Sequence, residues 1–297
     1  MLGTASAMPV SDRKPSAQAL QMHGRIFLVD CGEGAQQSMV RYGVSLQRID
    51  SVFISHIHGD HVYGLDGLLA TLGMGGRTAA LNIYGPRNLG PMINFFLSYN
   101  GDWLPYEIVF HPITSKEPEV ILEGRSFEVV SIPLRHGVDT YGYIFREKEP
   151  LMNVRREAVQ EYGLSLTEIG TLKRGEDVLR ADGQLLRNSE LAYKPYEPRS
   201  YAYVSDTETF PEEAQWLRGV DVLYHETTYL SEHADKARAR HHSTTLDAAA
   251  IAREAGVKKL IIAHYSSRNQ NIGLYEAECR SVFPESYAAS DGEVYEL

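Results

Sequence analysis

The chain is poor in cysteine. Two in 297 residues, Cys31 and Cys279, lie too far apart in sequence to suggest a disulfide framework, so a reducing, cytoplasmic setting is expected. Long apolar runs are absent as well: no stretch of about 18 such residues exists, which excludes a membrane-spanning helix. The opening MLGTASAMPVSDRK has neither the basic stretch nor the apolar core of a secretory signal. No fixed-period repeat runs through the chain, which argues against a solenoid. Positive charge is the remaining scarcity, with 29 Lys+Arg against 39 Asp+Glu and a net charge of −10. Polyanions are gripped by clustered Lys and Arg, so any such partner must be met at local patches rather than over a broad basic face. The rest of the composition, 43% hydrophobic and 23% charged, is that of a globular protein with a sizeable core.

Short β-branched, aromatic or aliphatic runs alternate with helical patterns along the chain. RIFLVD (25–30), SVFISH (51–56), LNIYG (81–85), FEVVSIPL (127–134), YGYIFRE (141–147), YAYVSD (201–206), DVLYHET (221–227) and KKLIIAHY (258–265) read as strands. Gly34–Tyr42, Leu65–Leu72, Pro91–Ser98, Pro211–Leu217 and Thr245–Ala255 read as helices, the last stopped by Gly256. Some strands follow one another without a helix between them, which implies an α/β fold with one or two mixed sheets. From 148 to 199 the strand pattern fades into nine basic and nine acidic residues, so this segment is neutral. It reads as an insertion in a single 1–297 domain, either a surface excursion or a substrate-contacting arm. KRGEDVLRADGQ (173–184) within it reads as a hairpin with Asp182-Gly183 at its tip.

The segment that carries chemistry is His56-Ile57-His58-Gly59-Asp60-His61, between a strand and a helix. Residues two apart at a strand end point the same way, so His56 and His58 can reach one metal ion. Asp60 and His61, displaced where the chain turns into the helix, can reach a second. Imidazole with carboxylate suits Zn²⁺, with Mn²⁺ or Fe as alternatives. Three later strands each end in a further candidate ligand: His136, Asp206 and His264. His23, His111 and His233 lack such a context, and His225 stands in a different local pattern.

With these motifs in place the chain resembles the ribonuclease Z family, the tRNA 3′-processing endoribonucleases of the metallo-β-lactamase superfamily. The resemblance rests on LGTASAMPVSDRKPS (2–16), DCGEGAQQ (30–37), SHIHGDHVYGLDGLL (55–69), IYGP (83–86), SDT (205–207), YHETTY (224–229), HSTT (242–245) and HYSSR (264–268), in family order over nearly the whole chain. It implies a four-layer αββα sandwich of two mixed sheets flanked by helices. It implies His56, His58 and His136 on one zinc ion, Asp60, His61 and His264 on a second, and Asp206 bridging the two. It assigns proton acceptance to Asp60, and makes His242 the candidate acid at the leaving 3′-oxygen. The implied reaction is removal of the 3′ trailer from precursor tRNA to leave a 3′-hydroxyl, by a chain that works as a homodimer. The alternative on the same scaffold is a hydrolase of small phosphodiesters or other esters.

Several positions keep two readings. Glu226 either orients His242 or is a buried structural carboxylate, and Arg268 either contacts phosphate or sits in a surface ion pair. Gly32 and Gly34 shape a tight turn, and Asp30 braces the metal loops rather than ligating. GMGG (73–76) reads as a loop. The chain also departs from the family pattern. The segment 148–199 stands where relatives carry an arm with a Gly-Pro motif, yet it has no Gly-Pro pair; Lys173 and Arg174 remain the candidate phosphate contacts there. Gly-Asp-Thr is replaced by Ser205-Asp206-Thr207, which keeps the carboxylate. The first strand is clipped, so a short or missing edge is expected.

Overall fold

The computed structural model describes residues 1–100, 103–269 and 271–297. The first of two large sheets takes β1 (Ala17–Met22), β2 (Arg25–Cys31), β3 (Ile49–Phe53), β4 (Leu81–Pro86) and β5 (Ile108–Ile113) in that order. β1 is antiparallel to β2, and β2 to β5 run parallel. The second is built from β6 (Glu119–Glu123), β7 (Phe127–Leu134), β8 (Thr140–Glu147), β9 (Ser200–Val204), β10 (Val222–Glu226), β11 (Lys259–Ala263) and β12 (Ser286–Ala288), in the order β12-β11-β10-β9-β8-β7-β6. β9 to β12 are parallel. Residues 2–6 make only single bridges, Gly3 to Ala17 and Ala5 to Pro15 and Tyr265, in place of a first strand.

The central strands read as unbroken apolar runs because both of their faces are covered. Along β2 and β3, Ile26, Leu28, Val52 and the following Ile54 join the core formed with α1 (Ala35–Arg41), α2 (Gly59–Val62), α3 (Leu65–Met74) and α4 (Gly90–Asn100). Phe27 and Phe53 alternate with them and meet the second sheet, where Phe145 stacks on Phe27 at 5.7 Å and Tyr143 meets Phe53 edge-on at 5.3 Å. Burying one such ring contributes about 1.5–3 kcal/mol, so this aromatic seam is a main fastening between the sheets. Further helices are α5 (Glu213–Trp216), α6 (Ala234–Ala239), α7 (Thr245–Ala255) and α8 (Ile272–Val282). α7 opens on a capping box between Thr244 and Asp247 and closes on Gly256 at φ 67°, as its sequence signals require. No helix among the described residues is long and apolar enough to cross a membrane.

The chain divides into two compact units: 1–123 with 129–145 and 200–297, and 124–128 with 146–199. The smaller has its own core of Ala158, Leu164, Leu172, Leu186 and Leu191. The hairpin expected at 173–184 forms further along, pairing Val178 with Leu186 and Leu179 with Leu185. Lys173 instead ends the helix Leu166–Lys173, which a Ser165–Glu168 capping box starts just after Tyr162–Gly163 break the preceding one. That capping signal outweighs the turn-like KRGED. Other expectations shift at their ends. The strand expected to 56 stops at Phe53, the helix expected over 211–217 covers only Glu213–Trp216, and GMGG is partly helical, since Gly73 lies inside α3.

Candidate active site

The ligand-type side chains converge from strand ends. His56 and His58 follow β3, His136 follows β7, Asp206 follows β9 and His264 follows β11, while Asp60 and His61 stand in the single turn of α2. Gly32 and Gly64 allow the loop after β2 to press against the metal-loop backbone. A Cβ on Gly32 would strike the carbonyl oxygen of Asp60, and one on Gly64 the carbonyl oxygen of Gly32. Gly34 has φ 85° and opens α1, so it shapes the turn.

Two sets of atoms form within this cluster. Nε2 of His61, Nε2 of His264, Oδ2 of Asp60 and Oδ1 of Asp206 lie 3.2–3.4 Å apart in each recorded pair. Four ligands about 2.0–2.1 Å from one ion at tetrahedral corners are separated by about 3.3–3.4 Å, so these donors have the spacing of a zinc-sized cage. The second set is looser. Nδ1 of His58 is 3.0 Å from Nε2 of His56 and 3.3 Å from Nε2 of His136, and Oδ2 of Asp206 is 3.7 and 3.9 Å from the latter two. Asp206 thus turns one oxygen to each set, and Oδ1 is buried with no hydrogen-bond donor among the described residues. A buried carboxylate oxygen left this way among lone-pair donors fits a bound cation.

In His56, His61, His136 and His264 the opposite ring nitrogen is held by the protein, leaving the inward one as a lone-pair donor. His61 Nδ1 lies 2.7 Å from Asp30, His56 Nδ1 3.0 Å from Ser55 Oγ, His136 Nδ1 2.8 Å from the His241 carbonyl, and His264 Nδ1 2.8 Å from Thr228 Oγ1. Asp30 also accepts from Ser55 N and Oγ and from the Tyr203 hydroxyl, so it braces the loop rather than joining either set. Burial, then the neighbouring His61, pushes the His56 imidazole well below its usual pKa against the pull of Asp206. For Asp206 burial works the other way, yet His264, His61 and His242 together hold it well below the carboxylate range. Asp60 is likewise held ionised, chiefly by His61, against its burial.

His242 stands beside both sets, its ring 5.0 Å from His136 and 5.7 Å from His264. Asp206, His242 and His264 also have ligand spacing, but Nδ1 of His242, 3.9 Å from Asp206, lies closer to Glu226 Oε1 at 2.9 Å. Burial opposes its charge, but Glu226 and then Asp206 outweigh that and lift it to about 9. The helix cap next to it is Thr244, so capping does not account for His242. Glu226, fully buried, serves as both orienter and structural carboxylate. Oε1 accepts from His242 and from the backbone of Thr207 and Ser243, and Oε2 accepts from Thr228 N and Oγ1. Three loops, SDT, HETT and HSTT, are pinned by this one side chain.

Arg268 is exposed in the loop after His264. Lys173 and Arg174 belong to the smaller unit, where the Arg174 guanidinium bonds Glu176 at 3.0 Å. His225 is a buried partner of Glu213 at 2.9 Å, and His111 bonds Asn82 and stacks on Tyr84, so neither has a ligand's surroundings. Thr228 and the His241 carbonyl were not singled out by sequence. Thr228 had a signal in its place beside Glu226, but the carbonyl had none.

A family model described as anti-Pycsar protein Apyc1 matches residues 1–95, less than half of the chain. Over nearly its full length the chain is similar to ribonuclease Z of Bacteroides fragilis, with 37% identity over 295 residues covering 98% of this chain and 96% of the relative. Among solved structures it is similar to the short form of human tRNase Z, with a TM-score of 0.72 and 24% identity, covering 99% and 97% of the two chains. It is also similar to the metallo-β-lactamase fold protein YhfI of Bacillus subtilis, with a TM-score of 0.69 and 18% identity over 99% and 96%. The two structures bear on the fold, and the full-length relative bears on the family. The chain belongs to the ribonuclease Z family, endoribonucleases of the metallo-β-lactamase fold.

Proposed function

We propose that the chain removes the 3′ trailer of precursor tRNA, with two Zn²⁺ ions held at the convergent cluster. His56, His58 and His136 would hold one ion and Asp60, His61 and His264 the other, with the Asp206 carboxylate offered to both. The observation that carries this reading is the carboxylate of Asp206, turned toward two groups of inward-facing donors with His242 beside them. A pair of divalent ions so held supplies Lewis-acid polarisation of a phosphodiester and an activated water.

The chain's own groups handle the protons. Asp60, ionised, is the acceptor for the proton of the attacking water. His242 gives its Nδ1 hydrogen to Glu226, so Nε2 carries the proton that the departing 3′-oxygen takes up. Phosphorus gains the water oxygen as its bond to the 3′-oxygen breaks, which leaves a 3′-hydroxyl on the tRNA and a 5′-phosphate on the trailer. Arg268, Lys173 and Arg174 are the proposed phosphate contacts. With a net charge of −10 confining the grip to such patches, salt dependence should be modest.

The test is turnover of a trailer-bearing precursor tRNA with mapped ends, beside bis(p-nitrophenyl) phosphate. Cleavage after the discriminator base to give a 3′-hydroxyl is expected. Hydrolysis of the small ester with the RNA left intact contradicts the tRNA reading and favours a small-phosphodiester hydrolase.

A further inference from the structure

Thr228 stands at a junction. Its hydroxyl oxygen lies 2.8 Å from Glu226 Oε2, 2.8 Å from His264 Nδ1 and 3.2 Å from His242 Nδ1, and the residue is buried. A threonine hydroxyl has one proton to give and two lone pairs to offer. Glu226 Oε2 is a carboxylate oxygen and can only accept, so the proton goes there. The lone pairs then receive the Nδ1 hydrogen of His264 and a share of the Nδ1 hydrogen of His242, whose main acceptor is Glu226 Oε1 at 2.9 Å. With Nδ1 of His264 carrying hydrogen, Nε2 is left as a lone pair facing Asp60, His61 and Asp206.

We propose that Thr228 is a positioning residue that fixes the tautomer of His264 and the ring of His242 through one hydroxyl. It thereby ties the grip on the Asp60–His61–His264 ion to the placement of the leaving-group acid. His264 needs such a restraint more than an ordinary residue does. Its backbone sits at φ 65°, a left-handed conformation, directly after β11, so its ring direction is set by a costly backbone geometry that a second contact must secure. The inference rests on the two-ion reading above and adds a residue to it.

The experiment compares Thr228→Val, which keeps the shape and removes the hydroxyl, with Thr228→Ser, which keeps the hydroxyl. Zn²⁺ is titrated into the metal-stripped full chain, and kcat and KM are measured separately on precursor tRNA. For Thr228→Val, one of the two ions should bind about 10–100-fold more weakly, the usual effect of losing a group that orients a ligand, with the other little changed. Its kcat should fall while KM holds. Thr228→Ser should restore both to within about threefold of the parent. If Thr228→Val does not fold, Thr228→Cys, of similar size but with only a weak S–H donor, is read in its place. Two ions bound to the hydroxyl-free variant at parental affinity, or equal losses in the Val and Ser variants, overturn the proposal. A parent chain that binds fewer than two ions overturns the two-ion reading instead, so the two failures are distinguishable.

Discussion

Nδ1 of His242 lies 2.9 Å from Oε1 of Glu226, and that carboxylate is wholly buried. The pair explains why a histidine that shows 14% of its side chain to solvent holds its proton up to about 9. Replacing His242 with Ala should lower kcat on precursor tRNA by about 10²–10⁴-fold, the usual worth of a positioned acid. Bis(p-nitrophenyl) phosphate, whose leaving group departs without a proton, should be spared. Glu226→Gln should show the same contrast and also melt earlier, because it loosens three loops. Equal losses on both substrates would remove the acid role.

His225 and Glu213 give a pH signature separate from the metal cluster. Burial disfavours the imidazolium, but Glu213 outweighs it and raises the pKa above the usual value. A histidine raised on folding stabilises the protein in full below its unfolded pKa of about 6.5, and that contribution fades as pH climbs through the raised folded value. Thermal melting between about pH 5.5 and 9 should show the parent losing part of its margin over Glu213→Gln across this rise. A constant difference between the two contradicts the assignment.

Gly32→Ala should destabilise the fold and disturb Asp60, since the new methyl meets the Asp60 carbonyl and Pro15. Overpacking of this kind costs about 1–3 kcal/mol. Urea unfolding of the metal-free protein measures it, and an unchanged midpoint would show that the loop gives way freely.

Asp30→Asn should weaken ion binding by about 10–100-fold without removing any donor from either set. The four groups around Asp30 are His61 Nδ1, Ser55 N, Ser55 Oγ and the Tyr203 hydroxyl, all placed to donate. An asparagine amide offers only one oxygen to them and turns an N–H against the rest. Zn²⁺ titration reads the loss; parental affinity in this variant means that Asp30 holds the loop but does not tune the ligand.

The sheets were largely legible because their central strands are covered on both faces. The run FEVVSIPL forms a strand over its whole length, and RIFLVD and LNIYG are each extended by one residue. None of the four edge strands, β1, β5, β6 and β12, was legible, and two show why. AQALQM, β1, is half polar with little β-branching, and IVFHPI, β5, carries Pro112, which is tolerated at an edge but hides the pattern. The helix Ile272–Val282 was missed although Asn271 stands at its cap; no acidic residue in the first turn reinforces that signal. At the site, donor types and strand-end spacing could be read from the chain. The holders of the rings could not, since the His241 carbonyl and the Thr228 hydroxyl reach His136 and His264 only once the loops have closed over one another.

The central claim is that one carboxylate, Asp206, joins two ion sites. Metal content of the purified chain and of Asp206→Ala, measured by elemental analysis after saturation with Zn²⁺ and removal of the excess, tests it most directly. The parent should retain two ions per chain, and the variant should lose firm hold of both. One ion in the parent, or two retained without Asp206, would contradict the account.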